Sequence, residues 1–262
     1  MNCLVVIPLY TLELHQNEWL SIDVAMSEFS RCGYRVCFVM PEGLPSELLA
    51  SRYSNYDEQR FASHYFKGIS GYNALMLSAE FYERFLSYEH MLIYQSDCYI
   101  FDASTLSDWF EYDYVGAPWV AKAHHSRLYY RLYHAILRGI CRLQGRYSKV
   151  SVYGNVGNGG LSLRRTALFY NIAKSERKSI ERYLERGAES NIFNEDVFWS
   201  FEPSRHGYKM KKPTATKALG FSFDMKPERC YELAGGVLPM GCHGWNKPQQ
   251  FPFWSKIIKE AL

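Results

Sequence analysis

Residues 91–97 read Met91-Leu92-Ile93-Tyr94-Gln95-Ser96-Asp97. The four leading apolar residues predict a buried strand, and the polar triplet after them marks its carboxyl end. Ligands of open α/β sheets bind at that edge, because helix N-termini and loops converge there. The stretch therefore predicts an α/β fold with a polar site directly after one strand.

The flanking sequence extends this prediction to a parallel sheet. Residues 4–10 form a short apolar run, residues 13–32 are helical in pattern and end at Gly33, and residues 34–40 form a second apolar run. Strand, helix and strand with short connections are typical of a βαβ unit. A helix over 72–88 then leads into the strand at 91–94.

The rest of the chain continues the alternation of predicted strands and helices. We expect a short strand at 113–119, a glycine-rich loop at 154–160, a helix over 165–186 and another from Asn194. The last third, with its prolines, predicts strands and loops. Since no linker is visible, residues 1–262 are predicted to form one domain.

The composition excludes several classes of protein. Hydrophobic residues make up 47% and charged residues 22%, which argues against disorder, and the net charge of +3 is too small for a general nucleic-acid binder. The seven cysteines are odd in number and lack zinc-site spacing, which favours reduced thiols and a cytoplasmic protein. We expect neither export nor a membrane span, because the start lacks a basic leader and no run of 18 apolar residues occurs.

Three short segments carry polar groups suited to chemistry, and each has a structural alternative. Asp97 after its strand could hold a divalent cation against a diphosphate, or could cap a turn. Glu195 and Asp196 could supply a general base, or could complement a helix dipole. His243, in a loop between Gly241 and Gly244, could bind a metal or a phosphate, and Lys247 could neutralise a second phosphate oxygen.

The glycine loop does not match the common nucleotide-binding motifs. Residues 154–160 read Gly-Asn-Val-Gly-Asn-Gly-Gly, which is neither Gly-x-Gly-x-x-Gly nor a Walker loop. The loop could approach a ligand closely, with Asn158 as a hydrogen-bonding side chain, or could be a tight turn.

In their order along the chain, these motifs resemble those of a GT-A type glycosyltransferase. The matching segments are Val5-Val6-Ile7-Pro8, Gln95-Ser96-Asp97, Gly157-Asn158-Gly159-Gly160, Glu195-Asp196-Val197 and His243-Gly244-Trp245-Asn246-Lys247-Pro248. Together with Tyr72-Asn73, residues 113–119 and residues 194–199, the pattern is similar to a bacterial GT-A-like family of surface-polysaccharide loci. The resemblance implies a single Rossmann-like GT-A domain with a mixed, mostly parallel central sheet flanked by helices.

The resemblance also implies roles for individual residues. Asp196 is the expected catalytic base, with Glu195 as the alternative, and Asp97 and His243 are the expected metal ligands. The expected nucleotide-donor contacts are Pro8, Tyr10, Asn73, Gln95, Ser96, Asp97 and Lys247. The expected acceptor contacts are Trp119, Asn158, Gly159 and Gly160. A divalent cation, Mn²⁺ or Mg²⁺, is implied, but Gln95 replaces the usual first Asp, so a metal-independent site based on Lys247 and backbone N–H groups is the alternative.

The implied activity is transfer of a hexosyl residue, galactose-type in pyranose or furanose form, from a UDP-linked donor with inversion. The implied acceptor is a glycan or lipid-linked glycan of bacterial lipopolysaccharide O-antigen or capsule synthesis, and no nucleic acid is involved. One alternative is a non-catalytic sugar- or nucleotide-binding module. Another, a nucleotidyltransferase, lacks its expected Gly-rich signature after the first strand.

A basic helical insertion is expected at about 121–149. From Tyr114 to Ser175 the chain has no Asp or Glu. On a helical wheel four arginines share one side, and Leu132, Ile136, Ile140 and Leu143 cover the opposite side. The arginines are Arg127, Arg131, Arg138 and Arg142. Such a helix could lie on the inner face of the cytoplasmic membrane, or could pack on the sheet with its arginines in water.

Overall fold

The computed structural model describes residues 2–121, 128–144, 148–187 and 193–259. Within these ranges the strands are β1 Cys3–Pro8, β2 Arg35–Pro41, β3 Asp57–Phe61, β4 His90–Tyr94, β5 Cys98–Ile100, β6 Tyr114–Gly116, β7 Leu161–Arg165, β8 Ser222–Phe223 and β9 Gly241–His243. The α-helices are α1 Gln16–Arg31, α2 Glu47–Arg52, α3 Gly68–Met76, α4 Ala79–Glu83, α5 Leu128–Leu143, α6 Lys149–Val152, α7 Thr166–Ser175, α8 Arg177–Gly187, α9 Glu195–Arg205, α10 Ala215–Ala218, α11 Pro227–Leu233 and α12 Phe251–Trp254. Short 3₁₀ turns cover Ser63–Phe66 and Ala103–Trp109.

The central sheet has six strands in the order β3-β2-β1-β4-β7-β6. Strands β3, β2, β1 and β4 pair in parallel, whereas β7 runs antiparallel to both β4 and β6. The predicted mixed, mostly parallel sheet flanked by helices is therefore confirmed. Since the chain moves from β1 to opposite sides to form β2 and β4, the carboxyl ends of β1 and β4 flank the point where ligands of such sheets bind.

Alternate side chains of β1 fill the two faces of this sheet. Val5 and Ile7 belong to one buried cluster, and Leu4 and Val6 belong to the other. Because successive residues of a strand point to opposite faces, a strand covered by helices on both sides reads as a continuous apolar run. This explains why β1 and β4 are visible in the sequence.

A second, three-stranded sheet in the order β5-β9-β8 lies at the carboxyl end of β4. Strand β9 pairs antiparallel with β5 and parallel with β8. This small sheet brings the last third of the chain to the strand end marked by Asp97.

Several predicted element bounds are wrong in detail. The helix expected over 72–88 is two helices, α3 and α4, because Ser78 accepts a hydrogen bond from the Phe81 amide and starts a new helix. The helix expected over 165–186 is α7 and α8. The last third contains short helices as well as strands, and His243 ends strand β9 rather than lying in a loop.

The predicted insertion contains helix α5, but its apolar side does not pack on the sheet. Leu132, Ile136, Ile140 and Leu143 are 43–90% exposed, whereas His134 on another face is buried. Residues 122–127 and 145–147, and with them Arg127, lie outside the described residues. None of the described helices is long and apolar enough to span a membrane.

Candidate functional site

A cleft of about 490 Å³ opens at the carboxyl ends of β1 and β4. Its lining residues are Pro8, Tyr10, Glu18, Gly68, Ile69, Tyr72, Gln95, Ser96, Asp97 and Asn246. Five of the predicted donor contacts thus border one opening, because parallel strands β1 and β4 end side by side. The cleft is where the stretch at 91–97 predicts a ligand site.

Asp97 lines this cleft, and His243 contacts Asp97 without itself being one of the lining residues. The antiparallel register of β5 and β9 pairs Cys98 with His243, which places the His243 ring beside Asp97. The distance from Asp97 Oδ1 to His243 Nε2 is 3.2 Å, and Asp97 Oδ2 is 3.0 Å from Lys247 Nζ. On its other side, His243 Nδ1 is 3.0 Å from Asp224 Oδ1. We call Asp97, Asp224, His243 and Lys247 the cleft cluster.

Asp97 and His243 shift each other's pKa in opposite directions. Burial alone would raise the pKa of Asp97, but His243 and Lys247 together hold that pKa well below its usual value. Burial would also lower the pKa of His243, but Asp97 and Asp224 raise it to about 10. Asp97 is therefore held as a carboxylate beside a protonated His243.

Gln95, Asp97 and His243 could also hold a small divalent cation that displaces the proton on His243 Nε2. His243 Nε2 is 3.1 Å from Gln95 Oε1 and 3.2 Å from Asp97 Oδ1. Neighbouring ligands of an octahedral cation, each at 2.0–2.1 Å, lie about 3.0 Å apart, so these spacings suit a shared ion. The described part of the chain holds no cluster of three or more His, Cys, Asp and Glu suited to a metal, so the amide oxygen of Gln95 would be the third ligand.

Two successive glycines of the glycine loop separate the cleft from the protein interior. A Cβ atom on Gly160 would lie 2.2 Å from His243 Cδ2, and one on Gly159 would lie 1.8 Å from Glu195 Oε1. Asn158 is buried and accepts a hydrogen bond from the Gly160 amide at 2.9 Å. In the ligand-free protein this loop gives close approach to protein side chains.

Glu195 is buried in an ion pair with Arg164, which no sequence pattern indicated. Arg164 Nη2 donates to both Glu195 oxygens, at 3.1 and 3.0 Å, and the two side chains are 0% and 2% exposed. Arg164 also donates to the Tyr82 hydroxyl at 2.8 Å. The carboxylate that was the alternative base thus has both oxygens engaged.

Asp196 differs from its neighbour because it remains partly exposed. Burial, together with the negative charges of Glu195 and Asp224, raises the pKa of Asp196 to about 7. Its Oδ1 accepts a hydrogen bond from the Val197 amide at 2.8 Å, which fixes the side chain in the first turn of α9. A carboxyl with that pKa can exchange a proton near neutral pH.

Asn73 connects helix α3 to the start of α9. Its Oδ1 accepts a hydrogen bond from the Glu195 amide at 3.1 Å, and its Nδ2 donates to Asn194 Oδ1 at 3.3 Å. The side chain is 6% exposed. Its visible contacts therefore position the Glu195-Asp196 pair, whereas the sequence predicted a nucleotide contact.

The upper wall of the cleft is aromatic and polar. Tyr10 is 39% exposed and packs edge-on against Phe66, with ring centroids 5.8 Å apart. Ser96 donates to Glu18 Oε1 at 2.7 Å. Glu18 was missed by sequence analysis, because its place three residues after His15 is that of an ordinary helix-capping residue.

Trp119, the remaining predicted acceptor contact, lies on the far side of the glycine loop. Its ring stacks on Phe201 with centroids 6.3 Å apart and an interplanar angle of 17°. The indole is only partly buried. Partly exposed aromatic faces of this kind can stack on the apolar face of a sugar.

The sheet order and the cleft at the β1/β4 edge define the GT-A glycosyltransferase fold, and two solved structures agree with it. The galactosyltransferase LgtC, in complex with donor and acceptor sugar analogues, has a TM-score of 0.59 at 11% identity, covering 98% of this chain and 94% of that one. Mouse xyloside xylosyltransferase 1 in its apo form has a TM-score of 0.54 at 8% identity, covering 95% of this chain and 99% of that one. At these identities the likeness shows the fold.

Residues 55–243 match the model of the family described as Protein of unknown function (DUF5672), and the chain belongs to that family. A search of curated proteins finds no match.

Proposed function

We propose that this protein transfers a hexosyl residue, galactose-type, from a UDP-linked donor to a carbohydrate acceptor, with inversion at the anomeric carbon. The observation that carries the proposal is the cleft cluster, in which Asp97, His243 and Lys247 meet within 3.0–3.2 Å at the ligand-binding edge of a GT-A sheet. A diphosphate leaving group needs such a set of charges and hydrogen-bond donors.

The donor is proposed to lie along the cleft from Tyr10 to Lys247. Pro8 and Tyr10 would contact the nucleobase, since Tyr10 offers an exposed aromatic face. Ser96 and Glu18 would contact the ribose. The Lys247 ammonium, half exposed beside Asp97, would bind a phosphate oxygen.

Asp97, His243 and Gln95 would hold a divalent cation, Mn²⁺ or Mg²⁺. Such a cation, when bound, would neutralise the negative charge that develops on the departing diphosphate. Without a cation, Lys247 and the protonated His243 would supply positive charge at the same place. Measuring the transfer rate with and without added metal therefore distinguishes a metal-dependent site from a metal-independent one.

Asp196 is proposed as the base that accepts the proton of the acceptor hydroxyl. The hydroxyl oxygen then bonds to the anomeric carbon while the bond from that carbon to the phosphate oxygen breaks, and the electron pair leaves with the nucleoside diphosphate. Glu195 does not fit this role, because Arg164 occupies both of its oxygens. Trp119, whose indole is only partly buried, would face the acceptor, whereas Asn158, Gly159 and Gly160 are buried in the loop beside Glu195 and His243.

Release of UDP from UDP-galactose, with and without Mn²⁺ and a glycan acceptor, tests the proposal. We expect slow release by the wild type and none by Asp196→Asn, with donor affinity nearly unchanged, because the amide keeps the shape of the side chain but cannot accept the proton. Loss of donor binding with normal turnover would reverse the assignment. NMR of the product's anomeric configuration tests inversion.

A non-catalytic sugar- or nucleotide-binding module is the second candidate. Gln95 in place of an acid and the ion pairs already made by Asp97 favour it. Donor binding in calorimetry without UDP release, across a panel of nucleotide sugars and acceptors, would support the module. Formation of pyrophosphate would instead indicate a nucleotidyltransferase.

We also propose a setting for the reaction: bacterial lipopolysaccharide O-antigen or capsule synthesis, at the inner face of the cytoplasmic membrane. Helix α5 supports a surface contact, since Tyr129, Leu132, Tyr133 and Ile136 are 55–63% exposed. An apolar helix face can insert at the level of lipid headgroups. Flotation with liposomes containing anionic lipid should carry the wild type and not Leu132→Glu/Ile136→Glu, and equal flotation of both would exclude this face.

A further inference from the structure

The His243 ring is held on three sides. Gly160 leaves room for its flat face, because any larger residue there would overlap the ring. Its Nε2 atom faces Gln95 Oε1 at 3.1 Å and Asp97 Oδ1 at 3.2 Å. Its Nδ1 atom contacts Asp224 Oδ1 at 3.0 Å. The ring thus presents Nδ1 to Asp224 and Nε2 to Gln95 and Asp97.

The backbone places Asp224 there through the register of the small sheet. Strands β8 and β9 pair in parallel, with Phe223 opposite Cys242. Asp224 directly follows β8 and His243 is the last residue of β9, so the carboxylate and the imidazole come from neighbouring positions. The chain then turns away through Lys226, whose φ of 61° starts helix α11 at Pro227.

The chemistry of imidazole gives this contact a consequence. The protonated ring carries a hydrogen on both nitrogens, so a cation must displace the hydrogen on Nε2. If Nδ1 keeps donating its hydrogen to Asp224, the lone pair of the resulting neutral ring lies on Nε2, the atom that faces Asp97 and Gln95. Carboxylates that orient metal-ligating histidines in this way affect metal affinity although they never contact the metal. The Asp224 side chain is 14% exposed, so water competes little for the hydrogen bond.

We infer that Asp224 is a positioning residue that orients His243 so that Nε2, Asp97 Oδ1 and Gln95 Oε1 together bind a divalent cation. This inference rests on the proposed function, whose cation site it completes. Asp224 itself touches neither the cation nor the donor.

The test is the affinity of the donor-free, full-length protein for Mn²⁺, measured by isothermal titration calorimetry and by the EPR signal of free Mn²⁺. Asp224→Ala removes the acceptor and should weaken Mn²⁺ binding by roughly 10- to 100-fold. Asp224→Asn keeps an oxygen that can accept from Nδ1–H and should retain most of the affinity. Asp57→Asn, which removes an exposed carboxylate paired with Arg35, controls for loss of one negative charge.

Three results would overturn the inference: no Mn²⁺ binding by the wild type, unchanged binding by Asp224→Ala, or equal losses for the Ala and Asn variants, which would indicate an effect of charge rather than orientation. Should Asp224→Ala fail to fold, NMR of ¹⁵N-histidine in the wild type and Asp224→Asn still decides, because the inference requires the hydrogen of His243 on Nδ1 when Mn²⁺ or its diamagnetic substitute Mg²⁺ is bound. UDP release is measured separately, so a protein whose Mn²⁺ affinity depends on Asp224 but which transfers no sugar would refute the proposed function alone.

Discussion

Two groups of opposite charges lie on either side of the Gly159–Gly160 dipeptide, and they differ in access to water. In the interior, Arg164 and Glu195 are 0% and 2% exposed. In the cleft cluster, Asp97 and Lys247 are 19% and 48% exposed. The two groups use the same kinds of side chain, but only the second can exchange a protein partner for a ligand.

The difference shows that the extent of burial decides whether an ion pair can exchange one partner for a ligand. A buried pair costs desolvation energy whether or not it functions, and neither partner can leave without stranding the other. A pair at the edge of a cleft keeps part of its hydration, so a phosphate or a cation can replace one partner at small cost. We therefore propose a structural role for Arg164 and Glu195 and a ligand-binding role for Asp97 and Lys247.

The largest expected effect comes from breaking the interior pair. Arg164→Met leaves the Glu195 carboxylate buried without a cation and should lower the free energy of unfolding by about 3–5 kcal/mol. Denaturant titration measures this loss. Arg35→Met, at an exposed pair with Asp57, should cost no more than about 1 kcal/mol. Adding Glu195→Leu to Arg164→Met should restore much of the stability, and a further loss instead would contradict a role limited to charge pairing.

The charges of Glu195 and Asp224 both act on Asp196, and replacing Asp196 should increase stability while removing activity. A carboxyl whose pKa rises from 3.8 to about 7 on folding destabilises the folded state progressively between those pH values and fully above them. Asp196→Asn should therefore be more stable than the wild type at pH 8, by at most about 4 kcal/mol, with the difference vanishing near pH 4. Thermal unfolding across pH measures this difference.

The pH dependence of the wild-type transfer rate should also report the pKa of Asp196. Since the base acts only when deprotonated, the rate should rise with pH up to about 7 and then level off. A rate independent of pH between 5 and 8, at saturating donor and with chemistry rate-limiting, would exclude Asp196 as the base.

Asp97→Asn tests the cleft cluster while leaving the Arg164–Glu195 ion pair intact. The variant loses charge-assisted hydrogen bonds, so its unfolding free energy should fall by about 1.5–3 kcal/mol, less than for Arg164→Met. Its affinity for UDP-galactose with Mn²⁺ should fall by roughly 10- to 100-fold, the range found when metal sites lose a partner. Calorimetric titration measures this affinity, and a stability loss without any loss of donor affinity would make Asp97 a structural residue.

The smallest expected effect on stability is that of Lys247→Met. Because the ammonium is half exposed, the loss should stay below about 1 kcal/mol. Donor affinity should nonetheless fall about tenfold, the equivalent of one charged hydrogen bond. Lys211→Met, at an exposed pair with Glu111, is the matched control and should leave donor affinity unchanged. Equal losses of donor affinity for Lys247→Met and Lys211→Met would indicate that net charge, rather than a contact made by Lys247, sets the affinity.

The sequence predicted the fold well where strands are buried on both faces. Apart from Arg35 and His90 at the first positions of β2 and β4, strands β1, β2 and β4 are apolar runs, and the polar residues after β4 do border the cleft. The helix divisions were missed, because a single capping residue such as Ser78 interrupts a pattern that otherwise continues.

The site could be predicted only in part, because its partners come from distant positions. Asp224 meets His243 through the register of two very short strands, and nothing in the local sequence distinguishes it from a turn aspartate. Arg164 follows Leu163 in a strand, and the sequence alone predicts an exposed arginine or one on an edge strand at such a position. Only the structure shows that Glu195 lies beside it. Such contacts depend on topology rather than on local pattern.

The paired glycines set a limit on protein engineering. Because Gly159 and Gly160 are each pressed against a side chain of a different group, a saturation library at these two positions should return glycine almost alone. Transplanting the cleft into another scaffold would accordingly mean moving this dipeptide with it, whereas the exposed rim at Ile69 is open to redesign of donor preference.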